Sequence, residues 1–233
     1  MTIIGQPESY SDMLKRIFAS TLTVGILSTL GVAVVSPSLR SFLDSWDSEV
    51  KVSFLPALRA LYVLVPLLVA ILTRVFLLHD RISDLLGLRR RFDTEYILKP
   101  LAEGVGFKAE GDDWKKIESQ RELAMTRTFY PYAGFRDPRI DVQLVRTAAD
   151  RWGWFWCAIE ATVVVLITGA ICALIHAWLA LWIALAATGV LILIAWLFWP
   201  QLGKGAKRQV EEIVANQSWN QDIRSQFDEI SGA

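Results

Sequence analysis

Cysteine and histidine are nearly missing from this chain, with two of each in 233 residues. Cys157 and Cys172 fall in a single apolar run, about four helical turns apart, which is beyond the reach of a disulfide. No disulfide framework is expected. The two histidines, His79 and His176, stand far apart in sequence, and neither belongs to a Cys/His cluster at metal-binding spacing. No metal site is expected. Net charge is missing too, since 24 Lys and Arg balance 24 Asp and Glu, so the total gives no pull toward a nucleic-acid polymer.

The usual marks of catalysis are also lacking. Gly104-Val105-Gly106 follows no strand and has no lysine at Walker spacing, and it reads as a helix-end loop. There is no nucleophile elbow, no helical histidine pair, and no Ser/His/Asp set that would share a membrane face. Asp93 with Glu95, and Asp112 with Asp113, are acid pairs suited to helix starts. Neither an enzymatic activity nor a cofactor is expected.

The most informative absence is charge between residues 152 and 203, where 52 residues carry only Glu160. A helix needs only about 20 apolar residues to cross a hydrocarbon core, so this stretch contains two. The break is expected at Ile175-His176-Ala177, giving a helical hairpin. Trp152, Trp154 and Trp156 open the first helix, Trp178 and Trp182 surround the turn, and Trp196 and Trp199 close the second, as indoles do at headgroup depth. Pro200 and Gly203 are expected to end it.

Two further apolar segments precede this hairpin. The first, residues 17–35, follows Lys15-Arg16 and is too long for the core of a signal peptide. Pro37 also occupies the position just after Ser36, where cleavage would fall, so a retained helix is expected. The second runs from about residue 54 to 78, with Pro66 predicting a kink near its middle. Arg59 and Arg74 flank its most apolar part as snorkelling anchors. A sharper reading makes Arg59 a partner of Glu160.

The expected class is all-α, a polytopic membrane protein with four transmembrane helices, a helical cytoplasmic insert between helices 2 and 3, and a C-terminal amphipathic helix. Residues 1–16 form the N-terminus, 17–78 the first two spans, 79–151 the insert, 152–200 the hairpin and 201–233 the tail. Lys and Arg number 14 in 79–151, two in the N-terminus and four in the tail, against two in 37–52 and none in 176–178. The positive-inside rule then makes both termini and the insert cytoplasmic in a bacterial inner membrane.

Within the insert, Ile82, Leu85 and Leu86, then Phe92, Tyr96, Ile97 and Leu101, recur at helical spacing. Gly104, Gly106 and Gly111 interrupt the pattern, Asp112-Asp113 begins a helix expected to reach about Met125, and residues 129–135 form an aromatic turn. The tail carries Val210, Ile213, Val214, Trp219, Ile223, Phe227 and Ile230 between charges. Its acidic polar face beyond Arg208 favours docking on protein over docking on lipid.

Glu160 lies roughly 12 Å along its helix from Trp152, inside hydrocarbon. Facing lipid would be costly, so it must face the bundle, a subunit interface or water. It either lines a pore or titrates, or it fixes packing by bonding hydroxyls such as Thr21, Ser28, Thr29 or Thr162. Thr21, Gly25, Thr29 and Ala33 recur every fourth residue, a small-residue stripe that lets another helix approach closely.

Two membrane helices, then Arg91-Phe92-Asp93 with Ile97-Leu98, Trp114, the Phe129-Tyr130-Pro131 turn, and Trp152 to Trp156 opening a second membrane pair, form an order that resembles the four-transmembrane effectors of bacterial cyclic-oligonucleotide anti-phage signalling. The resemblance covers roughly residues 17–200. It implies a cytoplasmic part that senses a signal, with Arg91, Phe92, Asp93, Trp114 and Tyr130 as sensing or docking candidates, and a membrane part that compromises the bilayer. The expected function is a non-enzymatic homo-oligomeric effector that permeabilises or depolarises the membrane in response to a cyclic nucleotide or a cytoplasmic protein. Two alternatives stand beside it: a membrane scaffold that recruits a soluble partner without forming a pore, and a small ion or proton transporter.

Overall fold

The computed structural model describes residues 6–37, 40–41, 60–76, 78–108 and 111–232, with backbone only for 60–63. Among these residues there is no strand. Helix α1 is Tyr10–Val35. Ser9 fixes its start, because the Ser9 hydroxyl accepts the Asp12 N–H at 3.1 Å and donates to the Asp12 carboxylate at 2.8 Å, satisfying a first-turn amide. Helix α2 is Ala60–Val75, with Pro66 inside it. The expected start of this helix, Arg59, and most of the preceding connection lie outside the described residues.

Short helices follow: α3 (Leu78–Leu85), α4 (Leu88–Phe92), a π-helical stretch (Asp93–Leu98), α5 (Lys99–Gly104), α6 (Gly111–Ser119), α7 (Arg121–Thr128) and α8 (Tyr130–Ala133). The single helix expected from Asp112 to about Met125 is two, parted at Gln120 (φ −103°, ψ 27°). The Ser119 hydroxyl donates to the Lys116 carbonyl at 2.7 Å, while the Gln120 N–H bonds the same oxygen at 2.9 Å. A serine competing for a backbone acceptor is a recognised source of such breaks.

Helix α9 is Val142–Leu174 and α10 is Trp178–Ala215. They are joined at the expected three residues, where His176 takes a left-handed φ of 57°. Pro200 and Gly203 do not end α10, contrary to the expectation, for the helix continues to Ala215. One proline removes one amide donor, and that loss is local. At Gly203 the space of a side chain is already filled, since a Cβ there would collide with the Tyr96 ring. Helix α11 is Gln217–Gly232, capped by Asn216, whose Oδ1 accepts the Ser218 N–H at 3.2 Å.

The chain divides into two compact units. The first holds Leu14–His79 and Gly153–Leu197. In it α1 and α2 run antiparallel: Leu14, Ile17 and Phe18 line a cleft with Thr73, Arg74 and His79, whereas a Cβ on Gly25 would lie 3.0 Å from Pro66. Helices α1 and α9 run parallel. Thr21 meets Glu160, and 11 residues further Val32 packs with Cys172, which lies 12 beyond Glu160. Gly169 brings the hairpin helices together, with Ala184 and Leu181 at 3.3 and 3.6 Å from a Cβ placed there.

The outer surface of this unit is apolar. Leu68, Ile71, Trp178, Trp182, Ile183, Leu193 and Trp196 are all exposed, far more than an aqueous surface tolerates in one patch. Helices α1, α9 and α10 are each long and apolar enough to cross a membrane. These features associate the chain with a membrane.

The second unit holds Asp80–Trp152, Phe198–Ala233 and Thr2–Met13. Leu98, Leu101, Ile117, Ile213, Ile223 and Phe227 are fully buried in it. Helix α11 packs on α6 and α7. Phe227 stacks on Phe107 at 5.3 Å, Lys116 Nζ donates to the Ser231 carbonyl at 2.8 Å, and Arg127 meets Glu229 at 2.7 Å. The tail therefore docks on the insert.

Candidate functional site

Glu160 sits on α9 with 3% of its surface exposed. The Thr21 hydroxyl lies 2.7 Å from Oε2 and 2.9 Å from the Ile17 carbonyl. One hydroxyl has one hydrogen, so Thr21 donates to one of these acceptors at a time. On the other oxygen, His79 Nδ1 stands 3.7 Å from Oε1. His79 is itself buried, edge-on to Trp156 at 6.0 Å. A small cleft here is lined by Leu14, Ile17, Phe18, Thr73, Arg74, His79 and Glu160. A carboxyl, an imidazole and a guanidinium thus gather in one cleft. The set can hold an ion pair or exchange a proton. No group of three metal-ligating side chains occurs among the described residues.

The small-residue stripe is spent within this unit. Thr21 is buried against Glu160, Gly25 against Pro66, and Ala33 is buried as well. Thr29 is half-buried and turns its hydroxyl back to the Gly25 carbonyl at 2.9 Å. Arg59, the suggested partner of Glu160, lies outside the described residues. The arginine of α2 that shares the cleft is Arg74.

In the second unit the sensing candidates separate. Phe92 is buried among Tyr96, Trp152 and Trp199 at ring distances of 5.4, 4.9 and 5.9 Å. Asp93 is buried at the start of the π-helical stretch, with Arg121 Nη1 at 2.5 Å and Arg89 Nε at 4.0 Å. Burial pushes its carboxyl pKa up, against the opposing pull of Arg121 and Arg89. Arg91 is exposed, Trp114 is half-buried, and Tyr130 is exposed beside Phe129. Phe92 belongs to the core, Arg91 to the surface and Trp114 lies between, whereas Asp93 and Tyr130 share Arg89, whose guanidinium donates to the Tyr130 hydroxyl.

Sequence reasoning missed His79 beside Glu160. It also missed Tyr132, whose hydroxyl donates to Asp222 at 3.1 Å and whose ring lies 4.9 Å from Trp219. Burial first, then the bond to Asp222 and its charge, push the Tyr132 pKa up to about 12. Neither pairing carries a local signal, since each joins residues far apart in the chain.

The fold and this polar cluster define a helical protein with three helices long and apolar enough to span a membrane and a separately packed helical unit. The chain belongs to the YmfE protein family, which it matches over residues 9–229. No curated protein and no solved structure matches it. Nothing in these comparisons links the chain to the cyclic-oligonucleotide effectors.

Proposed function

We propose that this chain is a four-crossing protein of the bacterial inner membrane, with both termini and the second unit cytoplasmic, acting as a non-conducting scaffold that docks a soluble protein. The four-crossing reading is supported by the antiparallel α1 and α2 and the parallel α1 and α9, which together alternate direction through α10. The single observation that carries the scaffold reading is the burial of Glu160. It is the one charged residue of 153–197, and Thr21 and His79 of the same chain enclose it. Apart from His176 at the turn, the exposed residues of 153–197 carry no ionisable side chain among those described. The second unit, with its tail bonded onto α6 and α7, is a preformed platform rather than a tether.

The exposed apolar face of α10 favours a second reading, the homo-oligomeric effector that permeabilises the membrane. Trp182, Ile183, Val190 and Leu193 are open to lipid or to further copies. A potential-sensitive dye in cells expressing the chain alone separates the two. The scaffold reading expects an unchanged membrane potential for wild type and Glu160→Gln alike. Depolarisation by wild type at matched protein level would overturn it in favour of the effector.

A further inference from the structure

The corner between α3 and α4 puts leucines where a soluble surface would not. Leu85 is 84% exposed and Leu86 61% exposed, side by side at the apex. The corner is built firmly. Gly87 turns the chain with φ 62°, its N–H bonding the Asp84 carbonyl at 3.2 Å, and the buried Ser83 hydroxyl accepts the Arg89 N–H at 3.2 Å. Asp80 lies 3.7 Å from Arg89. The leucines are therefore held out by the fold.

Residues 78–95 carry Arg81, Arg89, Arg90 and Arg91 against Asp80, Asp84, Asp93 and Glu95, but Asp93 is buried between Arg121 and Arg89, so its charge does not face the apex. Arg81 and Arg91 are exposed, and the Arg90 side chain is 63% exposed although it reaches Glu118 at 3.3 Å. The apex also lies only ten residues beyond the end of α2 at Val75. Exposed leucines flanked by arginines that can snorkel, closely tethered to a membrane helix, form the pattern of a segment lying in the interface of an anionic leaflet.

We propose that the α3–α4 corner inserts Leu85 and Leu86 into the anionic cytoplasmic leaflet, with Arg81, Arg90 and Arg91 against lipid phosphates. This proposal rests on the membrane reading above. The test places a nitroxide on Leu85→Cys and Leu86→Cys in the full chain, reconstituted in nanodiscs of phosphatidylcholine with phosphatidylglycerol. Collision with oxygen and with a water-soluble nickel chelate is then compared. Ile183→Cys serves as the lipid reference, Gln221→Cys as the water reference, and the wild type, whose Cys157 and Cys172 are buried, as the background.

The expected oxygen-to-nickel ratio at 85 and 86 is several-fold above that at 221 and close to that at 183. It falls several-fold when Arg81, Arg90 and Arg91 are all replaced by glutamine, or when phosphatidylglycerol is omitted. A water-like ratio at 85 and 86 with a lipid-like ratio at 183 overturns this proposal and leaves the membrane reading standing. Shielding of 85 and 86 from both reagents means a protein covers them, and also overturns it. An unchanged ratio in the glutamine variant overturns the role given to the arginines. A water-like ratio at 183 removes the membrane reading itself.

Discussion

Glutamine at position 160 keeps an acceptor for the Thr21 hydroxyl and loses the charge, whereas leucine loses both. If Glu160 fixes packing, Glu160→Gln folds with unchanged stability, and Glu160→Leu costs on the order of 1–3 kcal/mol because the hydrogen-bonding partners of the carboxyl lose it in an apolar setting. Denaturant titration in detergent checks this, and equal stability of all three proteins would contradict it. Asp93 gives a pH dependence. Its folded pKa is raised above the ordinary 3.8, so the folded state holds this proton more tightly than the unfolded chain. The stabilisation from this group is complete below pH 3.8 and is lost as pH rises through the raised folded value. In Asp93→Asn that loss is absent, so the slopes of stability against pH in wild type and variant should differ over this window; parallel slopes would contradict the assignment. Glu160 was legible in the sequence because one charge in a long apolar run stands out. Its neighbour His79 was not, because only the packing of three distant segments brings the imidazole within 3.7 Å.

Helix α11 is bound to the insert by a buried face of Ile223, Phe227 and Ile230. Truncating Phe227, fully buried and stacked on Phe107, removes a large core side chain. Phe227→Ala should cost about 3–5 kcal/mol, seen as faster proteolysis between α10 and α11. Unchanged protease resistance would mean that the tail is not held by this face. The amphipathic character of the tail and its docking on protein were readable from spacing and from its acidic polar face. Its boundary was not. Local rules end a helix near Pro200 and Gly203, but the close packing of Tyr96 over Gly203 is a tertiary fact and α10 continues. Gly203→Ala should accordingly destabilise the second unit, despite the better helix propensity of alanine, and a thermal midpoint at or above that of wild type would contradict this.

At the scale of the whole molecule, the apolar hairpin, its three-residue turn and the helical insert could all be read from the distribution of charge. That reading already implies spans of alternating direction, but not the contacts that set helix against helix in the first unit: Gly25 with Pro66, Thr21 with Glu160, and Val32 with Cys172. The arrangement in the bilayer proposed above rests on these directions together with the count of Lys and Arg. Single cysteines at Ser45, Gly111 and Ser225, probed in intact cells with an impermeant thiol reagent, test it most directly, since the native cysteines are buried. The account predicts labelling at Ser45 alone, with Gly111 and Ser225 labelled only after the membrane is opened. Labelling at Gly111 in intact cells would contradict it.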